Sequence, residues 1–352
     1  MKVVVGVDTH KESRAIVVLD SVGAVLHDTT VPATEEGYAR AIAAVVEYED
    51  VAWGIEGAGS YGRGLVDALL RRGAVVYEVP GALTKRHRKH ASRRGKSDAQ
   101  DARAIAEVVL RERERLPRCQ QMDEQEALRL LYDRRDRLVR TRTEAINRLR
   151  GAALRLDLHD LPTKLTGRAA LQTVRRTSAS FRGASYTADA LVDEIEEAAA
   201  DVERLGVRIA AIEKQLVPFV ERLAPSLLAL RGVSSVVAAG LIGHAGLLNN
   251  CRNAAAFAMR AGAAPVPCSS GRNQAVRVNT GGDRQLNRCL HTIAIVQVRA
   301  PSHAGRIYYD RKRAEGKTHR QALRSLKRQL ATVVFYRLAT TLRTRSIEKF
   351  AA

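Results

Sequence analysis

The sequence predicts an α/β N-terminal domain, a coiled-coil middle and a mainly helical C-terminal domain. Three observations carry this. Short β-branched apolar runs fill the first 80 residues, a heptad pattern occupies 191–216, and helical periodicity dominates from 226 onward. The expected boundaries are 1–120, 121–224 and 225–352. At 352 residues the chain is long enough for two or three domains, and a 45% hydrophobic content allows each a core.

Taken in order, strands are expected at 2–8, 14–20 and 23–31, the last after the turn Ser21-Val22-Gly23, forming an antiparallel meander. A helix at 35–48, a strand at 51–56, a helix at 61–72 and a strand at 74–79 follow, until Pro80-Gly81 breaks the pattern. Three hairpin strands followed by alternating helix and strand is the ribonuclease-H-like order. A basic loop, 81–96, leads to a helix at 97–113. Residues 124–156 read as one long helix and 157–185 as a connector.

Leu191, Ile195, Ala198, Val202, Leu205, Ile209, Ile212 and Leu216 are spaced alternately four and three apart. Such a seam predicts a coiled coil, either with 124–156 of the same chain or between protomers, ended by Pro218 and Pro225. Leu230-Arg-Gly-Val-Ser-Ser-Val236 resembles a helix-hairpin-helix turn, although an ordinary helical turn fits it nearly as well. A helix at 253–262, a Pro/Gly/Ser-rich loop at 263–282 and two helices at 283–299 and 318–344 complete the chain.

The formal charge of +20 at pH 7 favours a polyanionic partner. Residues 85–96 hold Lys85, Arg86, Arg88, Lys89, Arg93, Arg94 and Lys96 with no acid, a nucleic-acid-binding segment rather than a tail, because it lies between a strand and a helix. No run of about 18 apolar residues exists, so no membrane partner is expected. The chain enters a strand directly and carries no signal peptide, which suggests a cytoplasmic, nucleoid-associated protein. Its four cysteines form neither a CxxC pair nor a zinc spacing and read as reduced structural thiols.

Four carboxylates stand out. Asp8 closes the run Val3-Val-Val-Gly-Val-Asp8, and Glu56 closes Val51-Ala-Trp-Gly-Ile-Glu56. Asp98 and Asp101 are three apart at the start of a helix and share a face. Acids from two strand ends and one helix face can converge on Mg²⁺, with Mn²⁺ as a substitute, which prefers oxygen ligands. Two such ions about 4 Å apart would serve phosphoryl transfer. Each acid alone has a bland explanation, and Asp98 could simply cap its helix. An actin-like kinase fold begins with the same strand order but needs a glycine-rich hairpin, where this chain has His10-Lys-Glu-Ser13.

Ser269-Ser270-Gly271 offers a candidate nucleophile, with Arg272 and Arg277 to neutralise a phosphate. No His or Asp sits at local triad spacing, and both serines could equally be turn formers. Tyr308-Tyr309 raises a tyrosine-recombinase alternative, but two adjacent tyrosines before Asp310 fit helix packing better.

The chain resembles the DEDD-type insertion-sequence transposases, a group that includes Piv-type DNA invertases and bridge-RNA-guided recombinases. The matching stretches are Val5-Gly-Val-Asp-Thr-His-Lys11, Ile55-Glu-Gly-Ala-Gly59, Lys96-Ser-Asp-Ala-Gln-Asp-Ala102, Phe257 through Gly271, and Asp283-Arg-Gln-Leu-Asn-Arg288. The resemblance implies a RuvC-like domain whose four acids are Asp8, Glu56, Asp98 and Asp101. It also implies a C-terminal transposase domain whose catalytic serine is Ser270. Implied partners are donor and target double-stranded DNA, a guide RNA from the mobile element, and a second or further copy of the chain as homodimer or homotetramer. The family's basic-Arg-Gly-Asn pattern is replaced here by Asn279-Thr-Gly-Gly-Asp283. A metal-only junction nuclease is the alternative activity, and a non-catalytic nucleic-acid assembly protein a third reading. The acids speak against the third, since carboxylates repel phosphate.

Overall fold

The structure, a computed structural model, describes residues 2–85, 97–120, 123–246, 248, 251–270 and 273–351. It divides into two compact units, Met1–Met122 and Asp123–Ala352.

The first unit is a five-stranded sheet with helices on both faces. Strands β1 (Lys2–Thr9), β2 (Ser13–Leu19) and β3 (Val25–Pro32) form the expected meander. Helix α1 (Glu35–Ala43), strand β4 (Asp50–Ile55), helix α2 (Arg63–Arg71) and strand β5 (Val75–Glu78) follow. The order is β3-β2-β1-β4-β5, antiparallel through β1, β2 and β3 and parallel from β1 outward to β5. This is the ribonuclease-H-like arrangement expected from the sequence. The edge of β5 is covered by the chain at 117–119, where the Glu78 amide donates to the Pro117 carbonyl at 2.8 Å.

Strand alternation sorts two cores. Val3, Val5, Val7, Trp53 and Ile55 face α1 and α2. Val4, Ala15, Val17, Leu19 and Ala52 face helix α3 (Asp98–Glu112) through its Ala102, Ile105, Ala106 and Val109. On this second face Gly6 and Gly54 sit side by side in the parallel register. A Cβ on Gly6 would lie 2.0 Å from the Ala102 carbonyl, and one on Gly54 would lie 2.3 Å from Val109 Cγ2. The helix therefore rests on bare backbone at the centre of the sheet.

The second unit is mainly helical. Helix α4 (Asp123–Arg155) runs antiparallel to helix α6 (Tyr186–Leu223). Arg135 pairs with Glu213 at 2.7 Å, and farther along α4 Arg148 reaches Asp201 at 2.8 Å and Glu194 at 3.3 Å. All eight heptad positions are buried within this single chain. The acidic outer face of α6 is thus explained by the arginines of its neighbours. The expected connector at 157–185 instead contains helix α5 (Arg168–Ala179), which buries Leu171, Val174 and Ser178 at i, i+3 and i+7. That stripe is too narrow to stand out among the surrounding Arg and Thr. Pro218 does not end α6, which continues to Leu223 because Leu216, Val220 and Leu223 are locked into the core. The missing Pro218 N–H is a smaller loss than exposing those side chains.

Beyond Pro225 come the short helix α7 (Pro225–Leu228) and helix α8 (Ser235–Ala245). The turn between them has Gly232 at φ +93°, and its Cα packs against Ile293, where a Cβ would come within 3.1 Å of backbone. Helix α9 (Ala254–Arg260) leads to a hairpin, β6 (Val266–Ser270) and β7 (Asn273–Arg277), in place of the loop expected at 263–282. Pro and Ser obscure it in sequence, but Pro267 is tolerated in a two-stranded ribbon where each strand is an edge. Helices α10 (Arg284–Val298), α11 (Ala304–Ala314) and α12 (His319–Ala351) close the unit. The sequence pattern predicts only two helices there. α11 holds the tyrosine pair as helix-packing residues, with Tyr309 buried and its hydroxyl 2.6 Å from His319 Nδ1.

Gly6→Ala should destabilise the first unit by about 1–3 kcal/mol or more, because the new methyl meets backbone that cannot move aside. Urea unfolding followed by the fluorescence of the single tryptophan, Trp53, reads this unit alone. Gly59→Ala is the control, since nothing lies within 4 Å of a Cβ there, and its midpoint should be unchanged.

Candidate functional site

The four acids of the sequence pattern meet at one edge of the first unit. Asp8 lies two residues beyond Gly6 on β1, and Glu56 two beyond Gly54, so both leave the sheet on the face covered by α3. The Glu56 amide donates to the Val7 carbonyl at 3.2 Å, extending the parallel ladder by one step. Thr9 Oγ1 donates to the Glu56 carbonyl at 2.8 Å and ties the two strand ends together. Gly57, at φ +72°, turns the chain away directly after Glu56. Gly81 leaves room for the Glu56 carboxylate, since a Cβ there would come within 2.5 Å of Oε1.

Helix α3 delivers the other two acids. Ser97 is its N-cap, its side chain accepting from the Gln100 amide at 3.3 Å. Asp98 is therefore not needed as the cap and projects from the first turn, where the helix dipole favours negative charge. Asp101 is buried and Asp98 exposed.

The electrostatics record the convergence. Burial lifts the Asp8 carboxyl above the ordinary carboxylate range, and the charges of Asp101, Glu56 and Asp98 add to the rise. His10 opposes them. Its Nε2 is 3.3 Å from Asp8 Oδ2 and 3.3 Å from Asp98 Oδ2. Asp8, His10 and Asp98 each offer a ligand atom within 4.8 Å of the others. This donor set, crowded and net negative, fits a divalent cation; the carboxylates suit Mg²⁺, while the imidazole suits Mn²⁺ or other transition metals better. His10 was missed in sequence, where it read only as part of the turn at 10–13. Its i+2 relation to Asp8 was the available signal.

Arg14 fixes that turn. It is buried and donates to the carbonyls of His10 and Tyr61, and to that of Ser13 at 2.7 Å, which anchors the His10 backbone beside the acids.

In the second unit, Ser270 ends β6 opposite Asn273 in the last pair of the hairpin. Its side chain, that of Ser269, and residues Gly271 and Arg272 lie outside the described residues. Arg277 ends β7, paired with Val266 and exposed. Of the basic segment, Lys85 is exposed, while Arg86, Arg88, Lys89, Arg93, Arg94 and Lys96 lie outside the described residues.

A second polar cluster, invisible in sequence because its members are scattered, joins α4, α8 and α10. His244 Nε2 is 3.1 Å from Asp133 and its Nδ1 is 3.3 Å from Asp283, the N-cap of α10. Burial disfavours charge on His244, yet the hydrogen bonds and charges of Asp283 and Asp133 outweigh it and raise its pKa. Beside it Arg288 pairs with Asp136 at 2.7 Å and donates to the Tyr132 hydroxyl at 3.0 Å. The cysteines are all free, as expected, and burial pushes the Cys119 thiol up to about 12 and Cys289 to about 11.

Two family models match parts of this chain: one described as "Transposase" over residues 5–156, and one described as "Transposase IS116/IS110/IS902 family" over residues 224–310. The insertion element IS116 44.8 kDa protein of Streptomyces clavuligerus is 28% identical, spanning 94% of this chain and 93% of its own. A probable family 20 transposase of Pseudomonas aeruginosa is 30% identical over 55% of this chain and 57% of its own. Among solved structures, Thermus thermophilus RuvC in complex with a Holliday junction substrate aligns with 34% of this chain and all of its own, at TM-score 0.28 and 16% identity. No described helix is long and apolar enough to cross a membrane.

Asp98→Asn should lower divalent-cation-dependent DNA cleavage by about 10²-fold or more, the equivalent of several kcal/mol, with the circular dichroism spectrum unchanged. Retained activity would remove Asp98 from the site. For the second cluster, a raised folded pKa means that protonated His244 contributes stability fully present below its unfolded value of 6.5 and lost as pH rises through the folded value. The second unit should therefore lose stability on going from pH 6 to the alkaline side. His244→Gln should flatten that slope in thermal melts.

Proposed function

We propose that the chain is a transposase of the IS116/IS110/IS902 family and that it cuts and rejoins DNA through two chemical groups of its own, a four-carboxylate metal site and a serine nucleophile. The observation that carries the first part is that the charges of Asp101, Glu56 and Asp98 all bear on Asp8, which with His10 and Asp98 offers ligand atoms within 4.8 Å of one another. Acids brought this close repel one another and any phosphate until a cation neutralises them. Loaded with Mg²⁺ or Mn²⁺, the site supplies positive charge to the scissile phosphate region and stabilises the leaving oxygen.

The roles of the chain's own residues follow from their places. Asp8 and Glu56, fixed at two hydrogen-bonded strand ends, form the rigid half of the ligand set. Asp98 and Asp101 are held by a helix and complete it. Ser270 Oγ forms a bond to phosphorus as the bond from phosphorus to the sugar oxygen breaks, and the released sugar oxygen takes up a proton. An incoming strand hydroxyl reverses the step, so the phosphoester bond is kept in a phosphoserine link and no nucleotide is consumed. Arg272 would balance the phosphate charge during attack, whereas Arg277, expected from the sequence to share that role, pairs with Val266 at the far end of the ribbon. Support for Ser270 comes from the family resemblance of its motif and from its position at the end of a two-stranded ribbon.

We further propose that an RNA transcribed from the noncoding end of the element guides target choice, with residues 85–96 contacting its backbone, and that the chain works as a homodimer or homotetramer on donor and target DNA. The run of seven cations without an acid supports the nucleic-acid contact. Sequencing the nucleic acid that co-purifies with the protein tests the guide directly. A bound pool made only of random cellular RNA would remove it.

Ser270→Ala should abolish covalent protein–DNA adducts on denaturing gels while DNA binding persists. Ser269→Ala should be milder. Adducts that survive in Ser270→Ala would transfer the role, with Ser269 next in line. Efficient cleavage without an adduct in the wild type would favour a metal-only junction nuclease.

A further inference from the structure

The second unit contains a cavity of about 920 Å³ that no local sequence pattern signals. It lies between the loop that leaves β7, the start of α10, and helices α11 and α12. Arg277, Arg284, Lys317, Arg324, Lys327 and Arg328 line it. Its one acidic lining residue, Glu315, is already held by Lys312 at 2.7 Å.

A seventh lining cation, Arg288, is paired with Asp136; what sets the other six apart is that they share one concave wall without a paired carboxylate. In the middle segment several arginines are paired, Arg135 with Glu213, Arg148 with Asp201, Arg175 with Glu203 and Arg182 with Asp193. Among the described residues, none of the six cavity cations makes a salt bridge with a carboxylate. A concave surface that concentrates unneutralised positive charge draws in an anion, and low-dielectric walls strengthen the field.

The site is also built rather than incidental. Asn287 donates through Nδ2 to the carbonyls of Ala261 and Gly262 at 2.8 and 2.9 Å, which leaves its Oδ1 to accept from Lys327 Nζ at 2.7 Å. The Lys327 ammonium is thereby held at the wall. Burial, together with the neighbouring Arg324 charge, lowers its pKa, as burial and Lys327 lower that of His291. The rim at 279–283 is seated on α9 by a glycine-to-glycine contact, where a Cβ on Gly282 would come within 2.3 Å of the Gly262 nitrogen. Asn279 Nδ2 donates to the Met259 carbonyl at 2.7 Å and fixes the same rim.

We propose that this cavity binds the phosphodiester backbone of the DNA strand that is cut and rejoined. DNA is taken as the occupant because the wall continues into the hairpin that ends at Ser270, an argument that rests on the proposed role of that serine. Arg277 pairs with Val266, four residues along β6 from Ser270, a separation of about 13 Å. A strand with one phosphate at the serine thus reaches the cavity within a few nucleotides. Six cations suit several successive phosphates better than a single small anion.

The test uses the full chain and the triple variant Arg277→Ala, Arg284→Ala and Arg324→Ala, all exposed side chains outside the hydrogen bonds that hold the wall and rim. Binding of a fluorescein-labelled mixed-sequence DNA duplex is measured by anisotropy, without divalent cation, across a salt series. Three lost phosphate contacts should lower the slope of log Kd against log salt by about 2–3 and weaken Kd by about tenfold or more. Binding of a labelled mixed-sequence RNA hairpin should change little. An unchanged DNA slope and affinity overturns the proposal, and a loss confined to the RNA hairpin replaces DNA by RNA as the occupant. Because no cleavage is involved, failure of Ser270 to form an adduct leaves this result standing. Conversely, an unchanged Kd sinks the cavity even where adducts form.

Discussion

The contact of helix α3 with the bare backbone of Gly6 and Gly54 is the constraint on which the first unit depends. Two adjacent strands give up their side chains at the same register position, and the helix settles onto them. Glycine in a strand interior weakens the strand, so the arrangement sacrifices local propensity for proximity. What it secures is the height of the helix over the sheet. Asp8 and Glu56 lie one side-chain repeat beyond the glycines, and Asp98 lies one helical turn before Ala102. Any residue larger than glycine would lift the first turn of α3 and part its two acids from the two on the strands.

Much of this was legible in the sequence because strand period and strand order are local signals. The run Val3-Val-Val-Gly-Val-Asp8 announces both a buried strand and an acid at its end, and the meander followed by alternating elements leaves few topologies open. The glycines themselves carry no separate signal within their runs, since their meaning appears when the register sets them side by side. His10 and Arg14 show the limit in the site. Each acts through neighbours brought by the turn, His10 onto Asp98 and Arg14 onto the Tyr61 carbonyl, and no periodicity encodes such contacts.

The second unit was harder to read where helical and turn-rich composition mislead. The ribbon at 266–277 hides behind Pro and Ser, and α5 behind polar residues that face solvent. Pro218 misled in the other direction, because a proline rule describes a local cost and the packing of Leu216, Val220 and Leu223 exceeds it. Charge followed a clearer logic. Glu194, Asp201 and Glu213 of α6 are taken up by arginines of α4 and Glu203 by Arg175 of α5, while cations without a paired carboxylate gather on the faces that α10 and α12 turn to the open cavity. The Asp133–His244–Asp283 bridge acts differently. It pins the N-terminus of α10 through the cap residue itself, and so steadies the rim of the same cavity from behind.

The crowding at Asp8 also makes a statement about folding. Asp8, whose pKa is raised first by burial and then by the charges of Asp101, Glu56 and Asp98, is a defect in the empty domain. On the proposed ligand set, any divalent cation that binds removes the defect, and binding to the native state alone stabilises it by about 2.7 kcal/mol at a hundred times its dissociation constant. The same binding favours the ionised carboxylates, so cation affinity and acidity are linked. The ion that would make the domain reactive would thereby also add to its stability, so that losing it would weaken the fold as well as the activity.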